Sequence, residues 1–208
     1  MTEKAQNPAK SRGRPKTYDP DRALWAAMEQ FWSGGFAATS LDALSGATGM
    51  NRPSLYAAFG DKHALYLKSL ERFRAELSDA LGDNLYRKQH VSEALKGFYF
   101  TAIDLYLDGP EGARGCFVVC TAPAEAVTNP EIRKTLDAIL KEIDVGLAAR
   151  LKAAQEAGEI APDADPDALA MLAGATLHSL AIRARAGTPR KALETLALQA
   201  VRLIAPKL

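Results

Sequence analysis

The sequence predicts an all-α protein with a small N-terminal three-helix unit and a larger helical domain behind it. Three observations carry that prediction. Residues 39–62 read as two short helices joined by a tight turn. From Val91 to Ile204 apolar residues recur at the three- and four-residue spacing of helix faces. The breaks between these runs hold helix-starting or helix-ending residues: Gly34-Gly35, Asp61, Asn129-Pro130 and Gly158. At 208 residues the chain is long enough for one large or two small domains with a full core.

The totals bound the setting. No apolar run approaches the roughly 18–20 residues that span a bilayer, and no apolar segment follows the start as in a signal peptide. Cys116 and Cys120 are too few for a disulfide framework. The expectation is a cytoplasmic protein without membrane attachment. The net charge is only +1, yet Lys4, Lys10, Arg12, Arg14 and Lys16 stand against Glu3 alone in residues 1–17. With almost nothing to bury, that stretch is expected to be a disordered basic arm. It is either a solubilising tail or, through Arg12, Arg14 and Lys16, a segment for the minor groove of DNA, where arginine meets concentrated negative potential.

The first helix is expected from Asp19 to about Ser33, with Leu24, Met28, Phe31 and Trp32 on one side and Trp25 at the margin. Gly34-Gly35 ends it and Phe36 packs back. Ser40, or Thr39 beside it, caps the second helix, whose apolar face holds Leu41 and Leu44. Gly49 fits the left-handed position that closes a helix. Asn51 caps the third, and Pro53 falls in its first turn, where a missing amide costs little. Leu55 and Phe59 give that helix a buried side and leave Arg52, Ser54, Tyr56 and Ala57 outward. A short polar helix after a tight turn is the form that enters a major groove, although most helical pairs of this kind are only packing units.

Asp61 caps a fourth helix carrying Leu65, Leu67, Leu70, Phe73 and Leu77, and residues 82–90 read as a break. Further helices are expected over Val91–Leu107, Gly115 to about Val127 with Pro123 kinking or shortening it, Pro130 to about Ala157, Asp167–Ala186 and Pro189–Ile204. Residues 162–166 form a loop whose carboxylates lack the register of a calcium site, so no metal or cofactor is expected there or elsewhere. Residues 168–182 are free of charge, and a helix apolar all round is buried on all sides. It is either the centre of a monomeric bundle or, with the last helix, the face of a homodimer formed through residues 167–204.

Residues 20–66 resemble the DNA-binding domain of the tetracycline-repressor (TetR/AcrR) family. The resemblance rests on Ala26-Ala27 to Phe31, Gly34-Gly35-Phe36, Thr39-Ser40-Leu41, Leu44, Ala47-Thr48-Gly49-Met50, Ser54-Leu55-Tyr56, Phe59, Lys62 and Leu65. It implies a flexible arm over 1–17, a helix-turn-helix DNA-binding domain over 18–64, and a helical ligand-binding and dimerisation domain over 65–208. It also implies a homodimeric regulator, usually a repressor of a near-palindromic operator, released by a small effector. Carried onto this chain, Arg52, Ser54, Tyr56 and Ala57 face bases or phosphates, with Asn51 beside them and Thr39 and Lys62 on the DNA backbone. Pro53, Ala57 and Gly60 depart from the residues usual at their positions, which throws base reading onto Arg52 and the arm.

In the larger domain, Phe98, Tyr99, Ala102, Tyr106, Cys116, Phe117, Cys120 and His178 are the candidates for an apolar effector cavity. Cys116 and Cys120, four residues apart, are alternatively a thiol pair for electrophile or redox sensing, Arg114 and a helix start lowering the Cys116 pKa, or plain apolar core. His178 is a core, interface or effector residue. An enzyme is disfavoured: three histidines, no His-x-x-x-His or Cys-x-x-Cys spacing, no phosphate-binding glycine loop and no nucleophile elbow are present. A nonspecific nucleoid-type protein is the other competitor, marked by steep salt dependence without sequence preference.

Overall fold

Side-chain caps start most of the helices. Asp19 accepts from the amides of Asp21 and Arg22 and opens α1 (Pro20–Ala38); Ser40, not Thr39, accepts from Ala43 and opens α2 (Leu41–Thr48). Asn51 does the same for α3 (Arg52–Phe59) and Asp61 for α4 (Lys62–Leu85). After α5 (Val91–Leu107) and α6 (Phe117–Ala126), Asn129 caps α7 (Pro130–Glu156) and Asp165 caps α8 (Pro166–Arg185), with α9 (Arg190–Ile204) last. The computed structural model describes residues 19–109 and 112–206, and among these the chain is nine helices without a strand. The arm residues Arg12, Arg14 and Lys16 lie outside the described residues.

Three elements differ from expectation. Gly34-Gly35 does not stop α1: Gly35, at φ 75° and ψ 170°, kinks it and the helix resumes to Ala38. The Thr39 hydroxyl holds the kink, lying 2.6 Å from the Gly35 carbonyl and 3.2 Å from that of Gln30. α4 runs through Gly82 to Leu85 because Leu81 and Leu85 extend the buried stripe of Leu70, Phe73 and Leu77. On α1 the buried face includes Ala23 and Ala27, with Leu24 only partly covered and Trp25 47% exposed.

α1, α4 and α6 share one aromatic seam. Trp32 meets Phe73 at 4.8 Å and Phe117 at 5.7 Å between ring centroids, and Tyr66 meets Phe31 at 5.1 Å and Phe117 at 5.7 Å. All but the tilted Trp32–Phe117 pair meet edge-on, and aromatic pairs of that kind add about 0.5–1.5 kcal/mol each beyond area burial. The Tyr66 hydroxyl donates to Thr121 Oγ1 at 2.6 Å, because Thr121 gives its own proton to the Phe117 carbonyl. The N-terminal helices are thus packed onto those of the larger domain, and α4 crosses the expected boundary at residues 64–65 without interruption.

α5 lies inside the larger bundle with Phe98, Tyr99, Ala102, Ile103 and Tyr106 buried. α8 is not the enclosed centre of a monomeric bundle, because one side of its charge-free stretch lies open within the chain. Ala170, Ala173, Leu177, Leu180 and Ala184 are buried, whereas Met171, Leu172 and Ile182 are 66%, 47% and 57% exposed. On α9, Leu203 is 75% exposed. No described helix is long and apolar enough to cross a membrane.

Candidate nucleic-acid interface and effector groove

The surface formed by α2 and α3 follows from their caps. Gly49 at φ 67° ends α2, and the Asn51 side chain accepts from the Ser54 amide at 2.9 Å to start α3. Leu55 and Phe59 then anchor α3 in the core, which turns Arg52, Tyr56 and Ala57 to solvent with Ser54 half-buried. Tyr56 is 45% exposed.

Arg52 is not free on that surface. Its Nη2 lies 2.7 Å and its Nε 3.2 Å from Asp42 Oδ1 on α2, and this carboxylate raises the guanidinium further above its ordinary pKa. Lys62 is folded over the Phe36 ring at 4.5 Å and reaches the Ala37 carbonyl at 3.4 Å. Thr39 needs correction. It is 5% exposed and its hydroxyl is occupied with α1 carbonyls, so it shapes the turn into α2 rather than offering a side chain to phosphate. Lys68, not singled out from sequence, donates to the Phe59 carbonyl at 3.1 Å and steadies the end of α3.

Residues 23–68 match the family described as "Bacterial regulatory proteins, tetR family", and residues 93–200 match "Tetracyclin repressor-like, C-terminal domain". The chain belongs to the TetR family. It is 32% identical over 202 residues to the HTH-type transcriptional repressor ComR of Escherichia coli (strain K12), covering 97% of this chain and 96% of that protein. BdcR, another HTH-type transcriptional repressor of the same strain, is 35% identical over 51% of this chain and 54% of its own. Among solved structures, a cysteine mutant of the TetR family regulator CifR bound to 26bp operator DNA superposes with a TM-score of 0.81 at 30% identity. That match covers 91% of this chain and 98% of the other.

The regulatory half of this TetR-family chain holds a groove of about 250 Å³ between α4, α5 and α7. Leu77, Leu81, Leu85, Phe98, Ile139 and Ile143 line it; Arg74 and Glu142, which are paired, and Tyr86 stand at its edge. Of the predicted cavity residues, Phe98 alone reaches this groove. The others lie outside it. Tyr99 is buried and donates to the Ala173 carbonyl at 3.1 Å; Ala102 and Tyr106 are core, and Phe117 belongs to the aromatic seam. Periodicity marked these residues as buried, and they are, but against neighbouring helices.

The two thiols also depart from expectation. Cys116 caps α6 with no side-chain bond, is 4% exposed, and burial pushes its pKa from an ordinary 9.0 up to about 12. Arg114 does not face it: the guanidinium turns to Glu29 and Trp32. Cys120 is half-buried and also raised by burial, which outweighs the lowering by Arg185. His178 is likewise half-buried, and burial lowers its pKa against an opposing effect of Asp144. Its Nε2 finds no partner among the described residues.

Proposed function

We propose that this TetR-family chain is a homodimeric transcriptional repressor that binds a near-palindromic operator and is released by a small apolar molecule. The observation carrying this reading is α3: a capped, core-anchored helix whose outward face is Arg52, Ser54, Tyr56 and Ala57. In the proposed complex α3 enters the major groove with Arg52 as the base-reading side chain, since arginine bonds guanine at two points. Ser54, Tyr56 and Lys62 fix register on phosphates, Asn51 keeps its cap, and Arg12, Arg14 and Lys16 reach the minor groove. A second copy joins through α8 and α9 and repeats these contacts about one helical turn away. The repressor function of ComR and BdcR and the operator complex of CifR support the reading.

The groove between α4 and α7 is the proposed effector site. Its apolar floor and paired Arg74 and Glu142 suit a small apolar molecule with one polar group. Because α4 both lines the groove and begins at the DNA-reading unit, a filled groove alters the set of α3. An effector shifts this equilibrium only by its differential affinity for the two states. The raised thiol pKa values weigh against a thiol-sensing regulator. The test selects a bound site from random duplexes and then screens compounds for release of that duplex. A protein that binds all duplexes alike, with steep salt dependence, would be nonspecific and would end the proposal.

A further inference from the structure

Between Leu41 and Phe59 the chain carries two charged side chains, Asp42 and Arg52, and they are paired with each other. Asp42 stands in the first turn of α2 and Arg52 opens α3. A single carboxylate oxygen, Asp42 Oδ1, accepts from both Nη2 and Nε of Arg52. The two-helix reading unit is therefore neutral as a whole, and its cation is held along one edge. A guanidinium is a planar fork of five donors, so an acceptor on the Nε side fixes the plane and leaves the Nη1 side for a second acceptor. Arg52 remains 53% exposed while so held, which keeps that second side within reach of a ligand.

We propose that Asp42 is a positioning and selectivity residue of the DNA-reading surface, presenting the outer edge of Arg52 to a guanine and withholding its charge from phosphates. This rests on the major-groove placement of α3 given above. An untethered arginine on a flexible stem settles on whichever phosphate is near, which gives affinity without sequence information. With Asp42 in place, the guanidinium is oriented before binding, and a stray pose brings a carboxylate toward phosphate with its neutralising partner lost. A guanine answers this arrangement with O6 and N7, two acceptors matched to one edge of the fork. The charge-driven part of the affinity then comes from elsewhere in the chain, and the Asp42 and Arg52 pair contributes discrimination at one G·C pair in each half-site.

The experiment uses the full chain and the variants Asp42→Asn, Asp42→Glu and Arg52→Ala. A preferred site is first selected from random duplexes, and affinity for it and for a random duplex of equal length is measured across salt concentrations. Asp42→Asn should tighten binding to random DNA roughly fivefold and steepen its salt slope by about 1 per half-site, as one phosphate contact is gained. The ratio of selected to random affinity should fall by a similar factor, and Asp42→Glu should restore most of it. Thermal melting checks that each variant is folded, and Asp42→Ser serves as a second neutral variant. A ratio and slope indifferent to both neutral variants, while Arg52→Ala still lowers the ratio, overturns the role of Asp42 alone. A wild-type protein that selects no site overturns the operator reading and this inference with it.

Discussion

Arg114 Nη1 donates to both carboxylate oxygens of Glu29, at 2.7 and 2.8 Å. The two side chains are 17% and 14% exposed, and the Arg114 guanidinium also lies 3.7 Å over the Trp32 ring. Glu29 and Trp32 belong to α1, whereas Arg114 stands between α5 and α6, so the contact ties the DNA-reading unit to the regulatory bundle. Arg185, at the end of α8, adds donors to the carbonyls of Trp32 at 3.2 Å and Arg114 at 3.3 Å.

Removing one member of this pair leaves the other charge poorly solvated. Glu29→Ala or Arg114→Ala should lower stability by about 1–3 kcal/mol, short of the 3–5 kcal/mol for a fully buried pair because some water reaches it. The double variant should lose less than the sum of the singles. Urea unfolding of the four proteins measures this. Single losses within about 0.5 kcal/mol would mean that the pair behaves as an ordinary surface bridge.

A second expectation concerns alkaline pH. Burial raises Cys116 from 9.0 to about 12 and Tyr66 from 10.0 to about 12, the Thr121 bond opposing the latter in part. In the unfolded chain the thiol releases its proton near its ordinary value, while the folded chain keeps it until about 12. Through that window the folded state binds more protons, so stability is complete below about pH 9 and declines as pH rises. Cys116→Ala should flatten the decline from pH 9 upward, and Tyr66→Phe should flatten it from pH 10. Melting temperature against pH is the measurement. Parallel curves for parent and variants would show that neither group is held neutral by burial.

These two sites mark where sequence reading succeeds and where it stops. The capping residues Asp19, Asn51, Asp61, Asn129 and Asp165 are local signals, and α5 begins at Val91 and ends at Leu107 as its stripe predicts. Gly34-Gly35 reads as a stop in the sequence, because only the Thr39 hydroxyl, four residues beyond Gly35, reveals that the helix resumes. The groove was missed for a different reason. Periodicity identifies a buried face but not the gap between three helices, so Tyr99, Tyr106 and Phe117 looked as available as Phe98. Glu29 and Arg114 are 85 residues apart, and no local pattern joins them. The Asp42 and Arg52 pair was legible in principle, as the two charges of an otherwise uncharged stretch.

Filling the groove should separate effector response from DNA binding. Ile143 lines it without being fully buried, so Ile143→Trp places an indole in the space without displacing a closed part of the core. Overpacking within a tight core costs about 1–3 kcal/mol, whereas the open groove should take the ring at lower cost. Operator affinity without effector should stay within about threefold of the parent, since 0.6 kcal/mol corresponds to about that factor. The effector concentration for half-release should rise by at least about tenfold, equivalent to 1.4 kcal/mol of lost binding. Fluorescence anisotropy of labelled operator under effector titration reads both quantities. An unchanged half-release concentration in a folded variant would put the effector elsewhere.

The exposed apolar residues of α8 and α9 bear on whether the operator is read by one copy or two. Met171, Leu172, Ile182 and Leu203 are each roughly half or more exposed, and a stable homodimer needs about 1,000 Å² or more of such surface covered. Ile182→Glu places a carboxylate on that face, where pairing would take it out of water. Sedimentation equilibrium should then show a monomer of 22.3 kDa chains where the parent shows twice that mass. Operator affinity should fall by about 100-fold or more, because two half-site contacts are no longer linked and the second loses its local concentration. Val127→Glu is the control: Val127 is 72% exposed but follows α6 and belongs to neither α8 nor α9. A dimer that survives Ile182→Glu and dissociates with Val127→Glu would move the interface to α6, whereas loss confined to Ile182→Glu ties operator affinity to the α8 face.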